Sequence, residues 1–478
     1  VASLTNLALV FVILGRFNPA LGGIQFEESY DWIPTLNVSY HVGLDGLGLP
    51  LVLLTALVVP MSLAASWKIR DGASLFQALV LFLEAGLFGA FTAQNFFPWF
   101  MFWQLSLIPV FFLIQFWGGS HRGPAATQFL LYNLAGGVAV LLSFLAIFLC
   151  THEFEFSRLA ELGRNGTLIS TLSEHLGWRD LTTKQLVVLI FSGALFGLAV
   201  RAPLLPFHTW LPTACSEAPT GASMILMALM PAMSIHGVLR ILEPIFPVQI
   251  FWLFKPLLTL AIVTILFSAA SAFAQKDLKR VLAYASISQF GCCILGAFAI
   301  THAGLSGLAP GAARAAALNS ILLLLFNCGL TTATLFWLAG KLEERAGGHE
   351  LSRFGGLRHS APLLACCAGA AVIASFGSPG LGGFAGQFQL FKTVLPLSRW
   401  AALAGFAGMG LTAVMFLVLL HRIFNGPLRC PDCTDLTLAE CLALAPALLL
   451  LVGLGIHPQL LLRFTTATTA EVARYLRY

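Results

Sequence analysis

Charge is scarce in this chain. Asp, Glu, Lys and Arg make up 10% of the 478 residues, whereas a soluble globular protein carries about 25%. So little charge cannot build a solvated surface, which excludes a stand-alone soluble enzyme. The net charge of +5 is modest, and no polybasic run points to nucleic acid. Most of the cysteines sit in apolar runs such as Cys292-Cys293 and Cys366-Cys367, where a thiol behaves as a small apolar residue. Cys430-Pro-Asp-Cys433 is a lone CxxC pair, and without a second pair it does not by itself make a metal or redox site. The chain shows no nucleotide-binding or nucleophile constellation.

Apolar residues are abundant instead, at 58%. They fall in continuous segments of roughly 20 residues, the length of one membrane-crossing helix. A transmembrane β-barrel would need alternating strands of ~10 residues, and these runs do not alternate. The expected fold is an all-α, polytopic transmembrane helix bundle of about 14 spans. The spans fall near 2–17, 45–67, 74–93, 95–117, 126–150, 184–203, 220–243, 249–274, 279–301, 313–340, 361–376, 380–395, 401–424 and 436–457. The segment Leu4–Leu14 lacks the cationic start and cleavage pattern of a signal peptide. It reads as the latter part of a transmembrane hairpin or as one short span. No linker separates soluble domains, so residues 1–478 form a single membrane domain with one long polar loop at 151–183.

Positive charge in short loops sets orientation. Lys68/Arg70, His121/Arg122, Lys276/Lys279/Arg280 and Lys341/Arg345/Arg353/Arg358 fall in loops of the same parity. They are placed on one side, the cytoplasm or its equivalent. Segment 18–44 falls on the other side, with Glu27, Glu28 and Asp31 and no Lys or Arg. Parity after 376 is left open, because 361–395 need not be two clean passes.

Two regions break the helical pattern at depth. One holds Pro203, Pro206, Pro212 and Pro219; the other, Phe376–Gly386, reads FGSPGLGGFAG. Both residue types weaken backbone hydrogen bonding that lipid cannot replace, so such breaks survive only where protein or a wet cavity covers them. Breaks in the two halves of a chain point to inverted repeats and to an ion path. The repeats are placed at about 74–274 and 279–424.

The first break reads PFHTWLPTACSEAPTGAS over 206–223, followed by MILMALMPAMSIHGVLRI to 241. Residues 277–291 read DLKRVLAYASISQFG, 29–55 read SYDWIPTLNVSYHVGLDGLGLPLVLLT, and 102–113 read FWQLSLIPVFFL. These segments resemble the antiporter-like M subunit, called chain 4 in other lineages, of proton-pumping NADH–quinone oxidoreductase, the respiratory complex I family. Sister L and N subunits and multisubunit cation/proton antiporters share the HTWLP-type element. The WIPTLN…GLDGLGLP and FWQLSLIPVFFL segments favour the M type. The resemblance covers nearly the whole chain and implies a membrane-arm subunit of an energy-converting membrane, the bacterial inner membrane or its equivalent. It implies an obligate hetero-oligomer with L-, N- and K-type partners and lipid. It also implies no cofactor in this chain, with NADH, flavin, iron–sulfur clusters and quinone held by other subunits. Electron transfer there is coupled to proton translocation along buried charged residues in each antiporter-like subunit.

Several family relay positions are neutral here. The family's FWE glutamate is Gln104, its buried lysine is Ala232, and its late glutamate after the second break is Gln387. Two family histidines become Gln289 and Cys328. Glutamine keeps hydrogen-bonding capacity but has no exchangeable side-chain proton near neutral pH. The resemblance therefore implies a subunit whose own pumping is in doubt. Remaining proton-pathway candidates are Glu84, Arg201, His208, Glu217, His236, Lys279 and Lys392. Arg201 replaces a lysine and does not readily deprotonate. His236 lies one turn after Ala232 on the same helix face. Five have a plain structural alternative: a packed histidine at His236, a snorkelling or pore-facing acid at Glu84, an interface anchor at Lys279, and capping or satisfying freed backbone groups at His208 and Glu217. Competing functions are a scaffold without ion transport, and a subunit of a membrane hydrogenase, cation/proton antiporter or carbon-uptake complex.

Overall fold

The computed structural model describes residues 1–175, 182–430 and 433–475. The chain opens with α1 (Ala2–Arg16) and then a hairpin of β1 (Gln25–Ile33) and β2 (Val38–Leu44). Helices α2 (Leu49–Ala65), α3 (Ala73–Thr92), α4 (Phe96–Leu105), α5 (Leu107–Trp117) and α6 (Arg122–Thr151) follow. Short helices α7 (Phe156–Arg164) and α8 (Thr167–His175) precede α9 (Thr183–Arg201), α10 (Trp210–Glu217) and α11 (Thr220–Gly237). A π-turn at Val238–Leu242 leads to α12 (Glu243–Ile245), α13 (Pro247–Trp252), α14 (Phe254–Ala274), α15 (Leu278–Leu305) and α16 (Gly311–Ala346). The chain ends with α17 (Pro362–Ser375), α18 (Gly382–Leu397), α19 (Arg399–Phe424), α20 (Leu438–Ile456) and α21 (Gln459–Tyr475).

Local sequence fixes several of these ends. Thr182 with Gln185 and Thr437 with Glu440 form capping boxes that start α9 and α20. Asp277 caps α15 by accepting from the Arg280 amide. Pro247 and Pro362 stand in first turns, where a missing N–H costs nothing.

Hydrophobic patterning sorts the helices into an inner and an outer set. Helices α11, α15 and α16 have no polar face and lie buried among the others. Helices α6, α14, α19 and α20 bury one face and turn Leu, Phe and Val outward, as Leu142, Phe267, Phe406 and Leu449 do. Ten helical stretches among the described residues are long and apolar enough to cross a membrane, and α1, α2 and α17 are shorter apolar helices.

The two faces carry opposite chemistry. On the basic face Lys68 pairs with Glu344 at 2.8 Å, Lys279 with Glu343 at 2.8 Å, and Arg345 with Glu440 at 2.7 Å. The amide of His121 donates to Glu217 on the same face. The basic loops placed together from sequence therefore meet in space. The opposite, acidic face carries the β-hairpin, where His41 sits between Glu27 at 2.8 Å and Glu155 at 2.6 Å.

Three expectations change. The bundle is all-α apart from the hairpin, where β1 and β2 pair antiparallel and the chain turns through Asn37 in the left-handed region. The polar loop 151–183 folds into α7 and α8, leaving residues 176–181 outside the described chain. The candidate spans 361–376 and 380–395 are two halves of one broken passage. Gly356 and Arg358 bond to Asn425 and Phe424, so the segment between starts and ends at one face. Helices α17 and α18 go out together, and α19 returns.

Candidate functional site

Both breaks expected from proline and glycine are present, and each is closed by hydrogen bonds from neighbouring helices. At the first, α9 stops at Arg201 and α10 restarts at Trp210. The intervening backbone is held by Leu204 N to Ala199 O at 2.9 Å and Leu205 N to Thr264 Oγ1 at 3.1 Å. The Trp210 indole donates to the freed carbonyl of Val200 at 2.8 Å. Such partners are needed because lipid offers none.

Arg201 sits fully buried at this break. Its Nη1 donates to the Trp103 carbonyl at 2.7 Å and to Ser106 Oγ at 3.2 Å, and Nε donates to Asn133 Oδ1 at 3.3 Å. The guanidinium stacks on the Trp103 ring at 3.9 Å. No carboxylate pairs with it among the described residues. Gln104, next in sequence to Trp103, packs against Gly137, where any Cβ would collide with it. Its Oε1 has no hydrogen-bond partner among the described residues. The first break thus holds a fixed cation with neutral neighbours. Its charge is spread over carbonyl, hydroxyl, amide and ring, and no acid–base couple is formed.

The second break is closed by amides. Helix α17 ends at Ser375, and Gly377 and Gly380 turn the chain at φ +78° and +92°, a region that favours glycine. Three side chains from three helices converge on the freed carbonyls. Gln289 of α15 donates to Ser375 O at 3.0 Å and to Ser375 Oγ at 2.6 Å. Gln387 of α18 donates to Ser375 O at 3.3 Å, and Asn327 of α16 donates to Ala374 O at 3.4 Å. Cys328, beside Asn327, lies buried against Cys293.

The other candidates divide by location. Ala232 is buried inside α11, and every residue from Met224 to Met233 is apolar. His236, one turn on, packs edge-on to Phe91 at 5.5 Å. His208 lies in the first break between the rings of Phe267 and Tyr284. Glu217 accepts from the His121 amide at 2.9 Å and so secures the turn before α6. Lys279 is buried at the basic face, held by Ala218 O at 3.1 Å and Glu343 at 2.8 Å. Glu217 and Lys279 line a cavity of about 330 Å³ with Glu343 and His349. Two candidates stand apart from the breaks. Glu84 is held by Asn6 of α1 at 2.9 Å, and Lys392 is exposed.

Outside the bundle, His349 bridges Asp277 at 3.1 Å and Glu343 at 3.2 Å. Hydrogen bonds to Asp277 and Glu343 push its imidazole up to about 10. Burial pushes the Glu155 carboxyl above its ordinary range, opposed by His41.

Asn133, Asn327 and Glu243 are functional-looking residues that the sequence reading passed over. Their signal was a polar residue inside an apolar run, as in LLYNLAGG and LLLLFNCGL. Cys430 and Cys433 are joined as a disulfide.

Helices broken at depth in a membrane bundle are the mark of the transporter-like class of membrane subunits. A family model described as NADH:quinone oxidoreductase/Mrp antiporter, TM, matches residues 93–412. NADH-quinone oxidoreductase subunit M of Mycobacterium tuberculosis is 31% identical over 493 residues, covering 96% of this chain and 85% of that one. NAD(P)H-quinone oxidoreductase chain 4 of Acaryochloris marina is 29% identical over 481 residues, covering 98% and 85%. Among solved structures, a chain of respiratory complex I from Thermus thermophilus superposes with a TM-score of 0.82 at 28% identity, covering 100% of this chain and 95% of that chain. A chain of the Mrp complex from Dietzia sp. gives 0.82 at 20% identity, covering 99% and 91%, which shows the fold alone. The chain belongs to the NADH:quinone oxidoreductase/Mrp antiporter transmembrane family, as an antiporter-like subunit of the M (chain 4) type and a multi-pass integral membrane protein.

Proposed function

We propose that this chain is a membrane-arm subunit of a complex-I-type NADH–quinone oxidoreductase in which the family's own proton relay is dismantled. The amide cluster at the second break carries this reading. A relay needs groups that both take and give a proton in low dielectric. Gln289, Gln387 and Asn327 instead spend their N–H donors on the Ser375 and Ala374 carbonyls. Arg201 has carbonyl, hydroxyl and amide partners, which hold its charge in place. Between Lys279 and His236 the apolar stretch Met224–Met233 offers no carrier.

On this reading the subunit sits among L-, N- and K-type partners and lipid in an obligate hetero-oligomer. NADH, flavin, iron–sulfur clusters and quinone belong to other subunits. Two inverted repeats, at about 74–274 and 279–424, place the two breaks in equivalent positions. The test is the proton-to-electron ratio of the intact complex in sealed vesicles, before and after Gln104→Glu, Ala232→Lys and Gln387→Glu are combined. The ratio of the native complex is expected to fall short of that of an ordinary complex by one subunit's share. A native ratio equal to the ordinary one sinks the proposal.

A second reading places the same scaffold in a membrane hydrogenase, cation/proton antiporter or carbon-uptake complex. The similarity in fold to an Mrp chain supports it. The chains that co-purify with this one decide between the two.

A further inference from the structure

Two buried titratable side chains, His236 and Glu243, take no part in either break. They flank the π-turn Val238–Leu242, and both are almost wholly buried, at 1% exposure each. Neither ring nitrogen of His236 has a hydrogen-bond partner among the described residues, and Glu243 Oε1 has none either. The other side of Glu243 is held by Thr301 of α15. A π-turn inserts one extra residue into a helix and recurs at functional sites. Here it brings Arg240 to the wall of a cavity while Glu243 turns toward α15.

That cavity measures about 420 Å³ and lies at the acidic face, under the segment that leads into β1. Glu27 stands at its mouth with a side chain 54% exposed, so the space opens to solvent. Asp45 and Arg240 close its inner end, paired at 2.6 Å. Arg240 Nε and Nη2 have no hydrogen-bond partner among the described residues. The cavity is open to solvent and its largely apolar wall carries Glu27, Asp45, Arg240 and Glu471, so it admits water. His236 lies four residues inward of Arg240, one turn along the same face.

We propose that His236 is a proton-binding site open to the acidic face alone, reached from this cavity past the Asp45–Arg240 pair. A hydronium ion in the cavity gives its proton to an imidazole nitrogen, leaving water and an imidazolium. The charged groups around the site are Asp45 and Arg240 on the cavity side and Glu243 beyond the π-turn. The side facing α3 presents the Phe91 ring. Onward movement stops at the apolar stretch ending at Met233. The site therefore exchanges protons with the acidic face alone and does not conduct them across. It stands apart from the membrane-arm reading: proton stoichiometry tests that reading, and water access tests this one.

The first measurement uses the unmodified chain in its native complex. Radiolytic footprinting oxidises side chains that touch water. Oxidation is expected at His236 and absent at Met230 and Met233, although methionine is the more reactive residue. The second uses His236→Cys, alone and with Asp45→Asn, in sealed vesicles of both orientations. A cationic, impermeant methanethiosulfonate is expected to label the cysteine from the acidic face only, several-fold faster with Asp45→Asn. Ser29→Cys, on the hairpin, controls for access to that face. An unoxidised His236, labelling from the basic face, or labelling from neither face overturns the proposal. If His236→Cys fails to assemble, the footprint of the unmodified chain decides.

Discussion

Gln289 of α15 donates from one amide nitrogen to both the carbonyl oxygen and the hydroxyl oxygen of Ser375, at 3.0 and 2.6 Å. The residue that ends α17 is thus tied to a helix 86 positions earlier in the chain. The sequence resemblance implies a histidine at this position. Glutamine performs the structural half of that role, satisfying a carbonyl that the broken helix leaves open, and cannot perform the protonic half. The same division holds for Gln387, which reaches the same carbonyl from α18.

Gln289→Leu removes both bonds and leaves Ser375 O with Gln387 as its donor. The expected cost is about 1–3 kcal/mol, the penalty for stripping a buried polar group of a partner. Gln289→His restores an N–H donor and is expected to recover most of the loss. Thermal unfolding of the purified complex measures both. Equal stability of Gln289→Leu and the native chain would remove the structural role assigned to this amide.

Much of this arrangement was legible in the sequence. Apolar runs marked the helices because length and hydropathy alone decide membrane insertion. Proline and glycine marked both breaks because they act on the backbone locally. What stayed hidden depends on register between distant segments. Asn327 donating to Ala374, Asn133 accepting from Arg201, and Asp45 pairing with Arg240 join residues whose spacing along the chain carries no periodic signal. The hairpin at 25–44 was missed because β1 leaves almost all of its residues exposed and so shows no period-two burial pattern. The double count over 361–395 arose because a half-helix has the composition of a short span.

His349 yields a pH dependence. Its imidazole is raised to about 10 by Asp277 and Glu343, from an ordinary value near ~6.5. A raised pKa contributes stability that is fully present below the unfolded value and is lost as pH rises through the folded one. The basic-face clamp is therefore expected to weaken progressively between pH ~6.5 and about 10. His349→Gln keeps a hydrogen-bonding side chain and removes the titration. Its melting temperature should vary less with pH across that window than the native one. Parallel curves would exclude His349 as the cause.

Asn6 and Glu84 test how α1 is held to the bundle. Asn6 Nδ2 donates to Glu84 Oε2 at 2.9 Å across the interface of α1 with α3. Asn6→Leu deprives the buried carboxyl of its donor and is expected to cost about 1–3 kcal/mol. Pairing it with Glu84→Leu should recover much of that loss, since replacing both partners by apolar groups can be nearly neutral. A cysteine crosslink between α1 and α3 reports the docking. Asn6→Leu should lower its yield, and the double variant should restore it.

Asp45 performs two tasks that separate by substitution. Its Oδ1 accepts from the Leu47 and Gly48 amides at 3.0 and 3.1 Å, fixing the turn into α2. Its Oδ2 pairs with Arg240 at 2.6 Å. Asp45→Asn keeps an acceptor for the turn and removes the counter-charge of a guanidinium that is largely buried, at 13% exposure. Breaking one side of a buried pair costs about 3–5 kcal/mol. Asp45→Ala loses the turn as well and should cost about 0.5–2 kcal/mol more, the range for losing a cap. Arg240→Met leaves a carboxylate that still accepts two N–H bonds, so its cost should fall below that of Asp45→Asn. The double variant Asp45→Asn, Arg240→Met buries no charge at all. A double-mutant cycle on thermal stability should show it less destabilised than the sum of its parts. Strict additivity would mean that Asp45 acts through the turn alone and that the pair closing the acidic-face cavity adds nothing to the fold.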